Sequence, residues 1–577
     1  MQPHSDHRAS AFVVALVVAL GALFVGLGWA WRWIGDDGFI ALRYAKNLAD
    51  GHGLVFNPGE PPVEGYTQLL WVLLAAGVER LGLEVTTWTA AVELAFATAL
   101  FALVARTAWR IADPRARGAA TATTAVLFAL SPTAVVWATG GLGTALHALF
   151  VFATVVSLVS IRRGGAWWPA AACATLVTLA RFDGLYHLGL AGIGFALVCL
   201  VARDRRSFVR GLFAGGTTAA CFALQTLWRH ATYGDWLPNT ARAKVGFGAR
   251  ALERGSDYVV SNALSVPTAA VLLVVLVVVA VRVLARRDEE RSRRGELFVV
   301  GAVVSIGTWI YPLLVGGDFM PMGRFLLPSV PFLALVAGVV VAAPLGRSRD
   351  EASQYGARHA AAVEADGAAR RRPRLQPRAW HRTAKSAALT LVLLAGWTPA
   401  LVGHPPTPRA WREAVSFRWG RPYETEAAFR RGVIARAEHW ALEGRALAQH
   451  LPADASLVRG AVGAVGYYSG IVLYDRFGLT DRRAAVEFEP DLTERVMPGH
   501  DRRAPVTFFA DREPDYWYSN LVFGEGPGTA RYDAIAADPL TERGDVVLFR
   551  VFAADGFPAD GALMLVRYGV EVPGLVP

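Results

Sequence analysis

Residues 36–67 read DDGFIALRYAKNLADGHGLVFNPGEPPVEGYT and follow an apolar run at 11–33. That run is long enough to cross a bilayer, which takes roughly 20 residues. It is too long for a signal-peptide core, and no small-residue cleavage site follows it, so it is expected to remain as an anchor. Asp36 and Asp37 then open a helix, whose positive N-terminal end stabilises their charge. Gly51, Gly53 and Pro58 end that helix and turn the chain. Glu64 leads into a second apolar stretch, 69–78, which Glu79 and Arg80 stop. Its length suits an interfacial or re-entrant helix rather than a span.

Outward from this stretch the chain stays apolar. With 577 residues, 54% hydrophobic and only 18% charged, it is too greasy for a soluble multidomain enzyme, a coiled coil or a disordered protein. Span-length runs recur at 86–104, 119–137, 145–161, 167–180, 185–202, 208–228, 264–284, 297–315, 325–343 and 384–402. Hydropathy then falls. The expected division is a transmembrane part at 1–403, with a first outer loop at 35–85 and a basic cytoplasmic loop at 345–383, and a soluble extracytoplasmic domain at 404–577. Charge tests the count. If 69–78 lies in the interface, the clusters Arg106/Arg110/Arg115/Arg117, Arg162/Arg163, Arg203/Arg205/Arg206/Arg210, Arg286/Arg287/Arg291/Arg293/Arg294 and Arg347 through Arg382 all fall on one side. The positive-inside rule then gives roughly eleven spans, with the N-terminus cytoplasmic and the C-terminal domain outside. The net charge of +10 belongs to those cytoplasmic loops rather than to a nucleic-acid surface. Cys173, Cys199 and Cys221 lie inside apolar runs, away from any His cluster, which argues against a disulfide framework and a zinc site.

This topology gathers the polar motifs on the outer face: Asp36 and Asp37; Arg181-Phe182-Asp183-Gly184 at a tight hairpin; Tyr233 through Thr240, with Asp235, Asn239 and then Lys244; and 316–324, GGDFMPMGR, with Asp318 and Arg324. Ionisable groups at membrane depth are costly, so each is a candidate site residue. Each also has a purely structural reading: Asp36 as a helix cap, Arg181 and Asp183 as a self-neutralising pair, Asp235 as a turn former before Pro238. Tyr66, Trp71, Trp236 and Phe319 are placed either to stack on sugars or to serve as an aromatic belt.

A span, an acidic pair opening an outer-loop helix, and a Pro/Gly turn into an interfacial helix resemble the N-terminal signature of the GT-C membrane glycosyltransferases, which include protein O-mannosyltransferases and the aminoarabinose transferase of lipid A. The wording of 36–67, with YGDWLPNT at 233–240 and GGDFMPMGRFLLP at 316–328, is most similar to the branch containing the mycobacterial terminal arabinofuranosyltransferase. The resemblance covers roughly residues 11 to 345. Two departures stand out. Where relatives often carry a Glu after Gly-Leu, this chain has Gly141-Leu142-Gly143-Thr144; and Phe182 stands where they often have Pro.

The resemblance implies a polytopic α-helical protein of GT-C type in the bacterial cytoplasmic membrane, with a C-terminal α/β domain. It implies transfer of arabinofuranose, or another pentose or hexose, from a polyprenyl-phosphate donor to an extracytoplasmic glycan, lipid or protein acceptor. Asp36 would be the general base; a positioned carboxylate typically supplies 10²–10⁴-fold. Asp37 would orient a hydroxyl or help bind Mg²⁺ or another divalent cation, although there is no dedicated metal motif. Arg324, Lys244 and Arg181 are the expected phosphate partners. Arg43, Tyr44, Glu64, Tyr66, Asp183, Asp235, Asn239 and Asp318 complete the expected substrate contacts.

Two other classes fit a polytopic protein with outer charges: a lipid-linked-sugar flippase or transporter, and a non-catalytic glycan-binding scaffold. The first usually shows mid-span charges, broken helices or internal repeats, and no clear repeat is present. In the C-terminal domain, 457–465 and 506–509 read as buried strands and 427–450 as an amphipathic helix. Tyr467-Tyr468-Ser469, Asp475 and Gly499-His500 either bind an acceptor glycan or brace the domain. The topology predicts that Arg291 and Arg370 are cytoplasmic while Asp37, Asp318 and Asp511 face outward. Cysteine labelling in intact cells checks this: an impermeant reagent that reached position 291 but not 318 would invert the assignment.

Overall fold

The computed structural model describes residues 3–243, 248–285, 289–343, 378–491, 494–524, 533, 535–537 and 539–570. Lys244, Arg370 and the side chain of Arg291 lie outside the described residues. The first half is helical: α1 (Pro3–Ala30), α2 (Asp36–Ala49), α3 (Leu69–Arg80), α4 (Val85–Ile111), α5 (Arg117–Ala129), α6 (Pro132–Val136), α7 (Thr144–Ile161), α8 (Trp168–Ala180), α9 (Gly184–Val201), α10 (Arg205–Tyr233), α11 (Asn239–Ala243), α12 (Ala249–Ser265), α13 (Pro267–Leu284) and α14 (Glu289–Val315). Next come α15 (Arg324–Ala343), which starts as a 3₁₀ turn, and α16 (Arg378–Ala395).

Among the described residues nine helices are long and apolar enough to cross a bilayer: α1, α4, α7, α9, α10, α13, α14, α15, and α16 with its following turn. Two expected spans are shorter. At 119–137, Ser131 and Pro132 break the helix into α5 and α6, with the Ser131 hydroxyl accepting from the Ala134 amide (3.3 Å). At 167–180, α8 has 13 residues. The apolar residues also face outward. On α13, Leu272, Leu276, Ala280 and Val283 are buried, while Val271, Val274, Val278 and Val281 on the opposite face are exposed. A helix that is apolar all round with one face open is solvated by lipid, and the chain is a multi-pass membrane protein.

Polar contacts mark the two ends of this bundle. At one end Arg162, after α7, pairs with Asp204 before α10 and with Glu296 of α14, joining three segments next to the arginine clusters. At the other end lie residues 36–67, 181–183, 234–240 and 316–324. There α2 packs on α3, the short helix at the stretch expected to be interfacial or re-entrant. Glu93 of α4 accepts from the amides of Gly141 (2.7 Å) and Thr144 (2.9 Å), so the exposed N-terminus of α7 is satisfied inside the bundle.

The C-terminal part begins with α17 (Arg409–Ala414) and α18 (Glu426–His450) and continues with β1 (Ser456–Arg459), α19 (Gly463–Ser469), β2 (Val472–Asp475), α20 (Arg482–Val486), β3 (Tyr516–Phe523), β4 (Val546–Val551) and β5 (Gly561–Arg567). The sheet order is β2-β1-β3-β5-β4; β1 runs parallel to β2 and β3, and β5 is antiparallel to β3 and β4. Two local expectations are corrected. The strand read at 457–465 ends at Arg459, because from Gly463 the chain winds into α19. The stretch 506–509 is a 3₁₀ helix after Pro505, apolar because Phe509 is buried rather than because it pairs in a sheet.

This domain is fastened to the loop end of the bundle. Asp36 opens α2, yet its carboxylate accepts from the first amides of α19, Gly463 (3.2 Å) and Ala464 (2.7 Å). A Cβ on Gly463 would sit 1.9 Å from the Asp36 carbonyl oxygen, so only glycine allows the two helices to meet. Overpacking of this kind costs about 1–3 kcal/mol. Gly463→Ala is therefore expected to lower the thermal midpoint of the purified protein; an unchanged midpoint would mean that α19 leaves α2 without penalty.

Candidate active site between the bundle and the C-terminal domain

A cavity of about 610 Å³ lies between the two parts. On the bundle side it is lined by Asp36, Asp37 and Ile40 of α2, Tyr311 and Val315 of α14, residues 317–320, and Arg324. On the domain side it is lined by Arg421, by Phe429, Val433, Arg436 and Trp440 from one face of α18, by the β1–α19 connection, and by Arg476, Phe477, Met497, Pro498, His500, Asp501, Arg503 and the start of β3.

The acidic side is built by backbone geometry. Burial raises the Asp36 carboxyl; the Ala464 amide opposes it, Asp37 adds to it, and the carboxyl comes to rest at about 6. Two amides at a helix N-terminus fix its orientation while leaving it further acceptor capacity toward the cavity. Asp37 faces His500 electrostatically. His500 sits between the rings of Phe319 and Phe477, each 5.0 Å away, with Nδ1 3.2 Å from the Pro498 carbonyl. A carbonyl only accepts, so Nδ1 carries the hydrogen and Nε2 is the acceptor. Burial lowers the His500 pKa, which favours this neutral form.

The loop 316–324 is held from both sides. Arg324 binds Asp318 through both arms of its fork (2.8 and 2.9 Å). Glu426 accepts from the Met322 amide (2.7 Å), and its partner Arg418 donates to the Phe319 carbonyl (2.9 Å). Trp137 donates to the Pro321 carbonyl (2.9 Å). Glycines at 316, 317 and 323 take the left-handed conformation this tight path needs.

The expected site residues thus separate. Asp36, Asp37, Asp318, Arg324 and the aromatic Phe319 line the cavity. Arg181 and Asp183 lie behind the wall; they bind each other (2.8 and 2.7 Å), and Tyr311, which does line it, donates to Asp183 (2.8 Å). The remaining described candidates lie elsewhere, for a physical reason in each case. Arg43 is buried, donating to the carbonyls of Phe56 (2.6 Å) and Ile471 (2.7 Å) and to Asn57 (3.0 Å). Tyr44 donates to the Val63 carbonyl (2.6 Å) and packs edge-on against Tyr66, which bonds to Tyr233 (3.0 Å). Glu64 forms a buried pair with Arg229; burial pushes its carboxyl up to about 7. Asp235 holds Arg482 (2.9 Å) and Arg242 (2.7 Å), and Asn239 donates to the carbonyls of Gly478 (2.7 Å) and Leu479 (3.1 Å). Trp71 donates to the Gly141 carbonyl (3.0 Å), and the exposed Trp236 stacks on His230. In the C-terminal domain Tyr467 bonds to Glu79 (2.6 Å), and Asp475 accepts from the amides of Phe477 and Thr480 (2.8 and 2.9 Å), so both brace the fold, whereas His500 reaches the cavity.

Sequence reasoning missed Arg421, Arg436, Arg459, Arg476 and Arg503. Only the spacing of Phe429, Val433, Arg436 and Trp440 along one helix face could have pointed to the α18 wall. Among the described residues no three His, Cys, Asp or Glu side chains group closely enough to hold a metal ion. The cations the chain itself offers an anion here are guanidinium groups.

Residues 430–554 match a family described as "Domain of unknown function (DUF8728)". The chain is 28% identical over 374 residues to the terminal β-(1→2)-arabinofuranosyltransferase of Mycobacterium tuberculosis, covering 57% of this chain and 56% of that protein. It is 45% identical over 62 residues to the protein of the same name from Corynebacterium glutamicum, covering 11% of this chain and 9% of the other. The chain thus spans little more than half of the first relative and less than a tenth of the second. Among solved structures, it resembles ArnT from Cupriavidus metallidurans in the apo state, with a TM-score of 0.51 at 16% identity over 96% of this chain and 98% of that one. ArnT bound to undecaprenyl phosphate gives 0.50 at 15% identity, over 97% and 99%. The oligosaccharyltransferase of Archaeoglobus fulgidus tethered to an acceptor peptide gives 0.50 at 13% identity, over 97% and 74%. The fold is of the GT-C type, a helical membrane part followed by a C-terminal sheet domain.

Proposed function

We propose that this chain is a membrane glycosyltransferase that moves a sugar from a polyprenyl-phosphate donor to an acceptor on the outer side of the cytoplasmic membrane. The observation that carries the reading is the two-sided cavity, with the carboxylates of Asp36, Asp37 and the Arg324-bound Asp318 on the bundle wall and several guanidinium groups on the domain wall. Sugar transfer from a lipid phosphate needs that pairing: a base for an incoming hydroxyl and cations for a departing phosphate. The relatives named for arabinofuranosyl transfer favour arabinofuranose as the sugar. The one-sided arginine clusters support a cytoplasmic N-terminus and an outward cavity.

In this reading Asp36 takes the proton of the acceptor hydroxyl as its oxygen bonds to the anomeric carbon. The bond from that carbon to the phosphate oxygen breaks, and polyprenyl phosphate leaves with the electron pair. The α19 amides hold Asp36 in place through this step, a preorganisation contributed by the C-terminal domain. Asp37 and the neutral His500 are placed to orient sugar hydroxyls.

Incubation of the purified protein with a panel of polyprenyl-phosphate sugars and a glycan acceptor, read by mass spectrometry, tests the reading. Release of polyprenyl phosphate with sugar on the acceptor is expected. No release with any donor by a folded protein would leave the flippase and scaffold classes ahead.

Asp36→Asn keeps one carbonyl acceptor for the α19 amides but removes the base. It is expected to fold and bind donor and to lose about 10²–10⁴-fold in turnover. Asp37→Asn is the control; a larger loss there would move the base by one residue, and near-normal turnover in both variants would take the acidic pair out of the chemistry.

The pH profile gives a second check. Asp36 works only when ionised and its carboxyl is raised to about 6, so kcat/KM should fall as pH drops through about 6 and level off above it. A profile flat down to pH 5 would exclude Asp36 as the base.

A further inference from the structure

Two of the cavity's arginines already have their forks filled. Arg324 is bidentate on Asp318, and Arg459 is bidentate on Glu443 (2.6 and 3.0 Å). Four others differ. Arg421, Arg436 and Arg503 make no side-chain hydrogen bond or ion pair with any of the described residues, and Arg476 engages only Nε, with the Ala504 carbonyl (2.8 Å). They form two like-charged couples, Arg421 with Arg436 and Arg476 with Arg503. Burial, followed by the neighbouring guanidinium, lowers the pKa of both Arg436 and Arg476; Glu424 is the acidic group that faces Arg436. The cavity's acids Asp318 and Asp501 are already held by Arg324 and Arg254, so guanidinium groups without a carboxylate partner on the domain wall favour an anion beside them.

The surroundings narrow the anion's chemistry. Arg436 shares its face of α18 with Phe429 and Val433, and these continue an apolar shelf formed by Val315, Phe319 and Met320 where α14 leaves the bundle. A guanidinium pair at the head of an apolar shelf leading to a membrane helix suits a phosphate that carries a hydrocarbon tail.

We propose that the C-terminal domain supplies the lipid-phosphate subsite, with Arg421 and Arg436 as the primary contacts and Arg476 and Arg503 as support, while Arg324 positions Asp318. The proposal rests on the donor reading above. It assigns the charge of the leaving group to the soluble domain and leaves the acid–base work to the first loop.

The test is a binding titration of the full-length protein in nanodiscs with three probes: polyprenyl phosphate, the matching polyprenol, and inorganic phosphate. Wild type should prefer the lipid phosphate over the alcohol. Arg421→Gln/Arg436→Gln should lose about 10- to 150-fold in affinity for the phosphate while binding the alcohol as before. Arg421→Lys/Arg436→Lys, which keeps charge without the fork, should recover part of the loss. If the Gln variant does not fold, the Lys variant alone decides: phosphate affinity equal to wild type overturns the proposal. Full phosphate preference in a folded Gln variant overturns it too, and leaves the donor reading standing. No preference in wild type removes the donor reading itself. Displacement of the lipid by inorganic phosphate as readily as by lipid phosphate would mark a site for free anions and overturn the lipid assignment.

Discussion

The carboxylate of Asp36, held by the first two amides of α19, is the joint on which the structure turns. It belongs to the first loop of the membrane part, and its partners lie more than 400 residues later. A carboxylate at the start of one helix that also caps a second sits where two positive helix ends converge, which opposes the burial that raises its pKa. The close approach requires a glycine at 463, and the approach brings β1, the β1–α19 connection and the α18 face over the bundle. Other ties around the rim fix the same docking: Asn239 on the carbonyls of 478 and 479, Asp235 on Arg482, Arg254 on Asp501 (2.9 Å), and Arg418 with Glu426 on the loop 316–324.

The docking divides the cavity's charged groups between two walls. The bundle contributes acids whose positions are fixed by helix ends and a glycine-rich loop. The domain contributes cations, most of them without a filled fork. Under the proposed function, one wall would receive a hydroxyl and the other an anion. The docking also separates two kinds of arginine: buried ones that fasten, such as Arg43, Arg254 and Arg324, and the half-buried or exposed ones at 421, 436, 476 and 503 that face open volume.

The sequence made the membrane part legible because burial in lipid is written as uninterrupted apolar runs. The acidic helix 36–49 and the short helix at 69–80 were equally readable, since caps and length decide both. The cavity lining was legible chiefly where its residues sit beside a span, as at Asp36, Asp37, Asp318 and Arg324, and at His500 in the C-terminal domain. Arg43, Asp235 and Asn239 look like ligands because they are polar residues in outer loops, but the partners that tie them to the C-terminal domain lie 239 to 428 residues away and no local pattern announces those. The arginines at 421, 436, 476 and 503 come from four separate segments and meet only in the folded domain. The departure at Gly141-Leu142-Gly143-Thr144 is instructive in another way: the motif carries no carboxylate of its own, yet Glu93 reaches the same turn from α4.

The proposed function puts sugar transfer in the cavity between the two walls. Cryo-electron microscopy of the full chain in nanodiscs with a non-transferable polyprenyl-phosphate sugar analogue addresses it most directly. Phosphate density is expected against the α18 wall near Arg421 and Arg436, the tail along the shelf of Val315 and Phe429, and the sugar's anomeric carbon turned toward Asp36. Density for the phosphate outside this cavity, or a sugar facing away from Asp36 and Asp37, would contradict it.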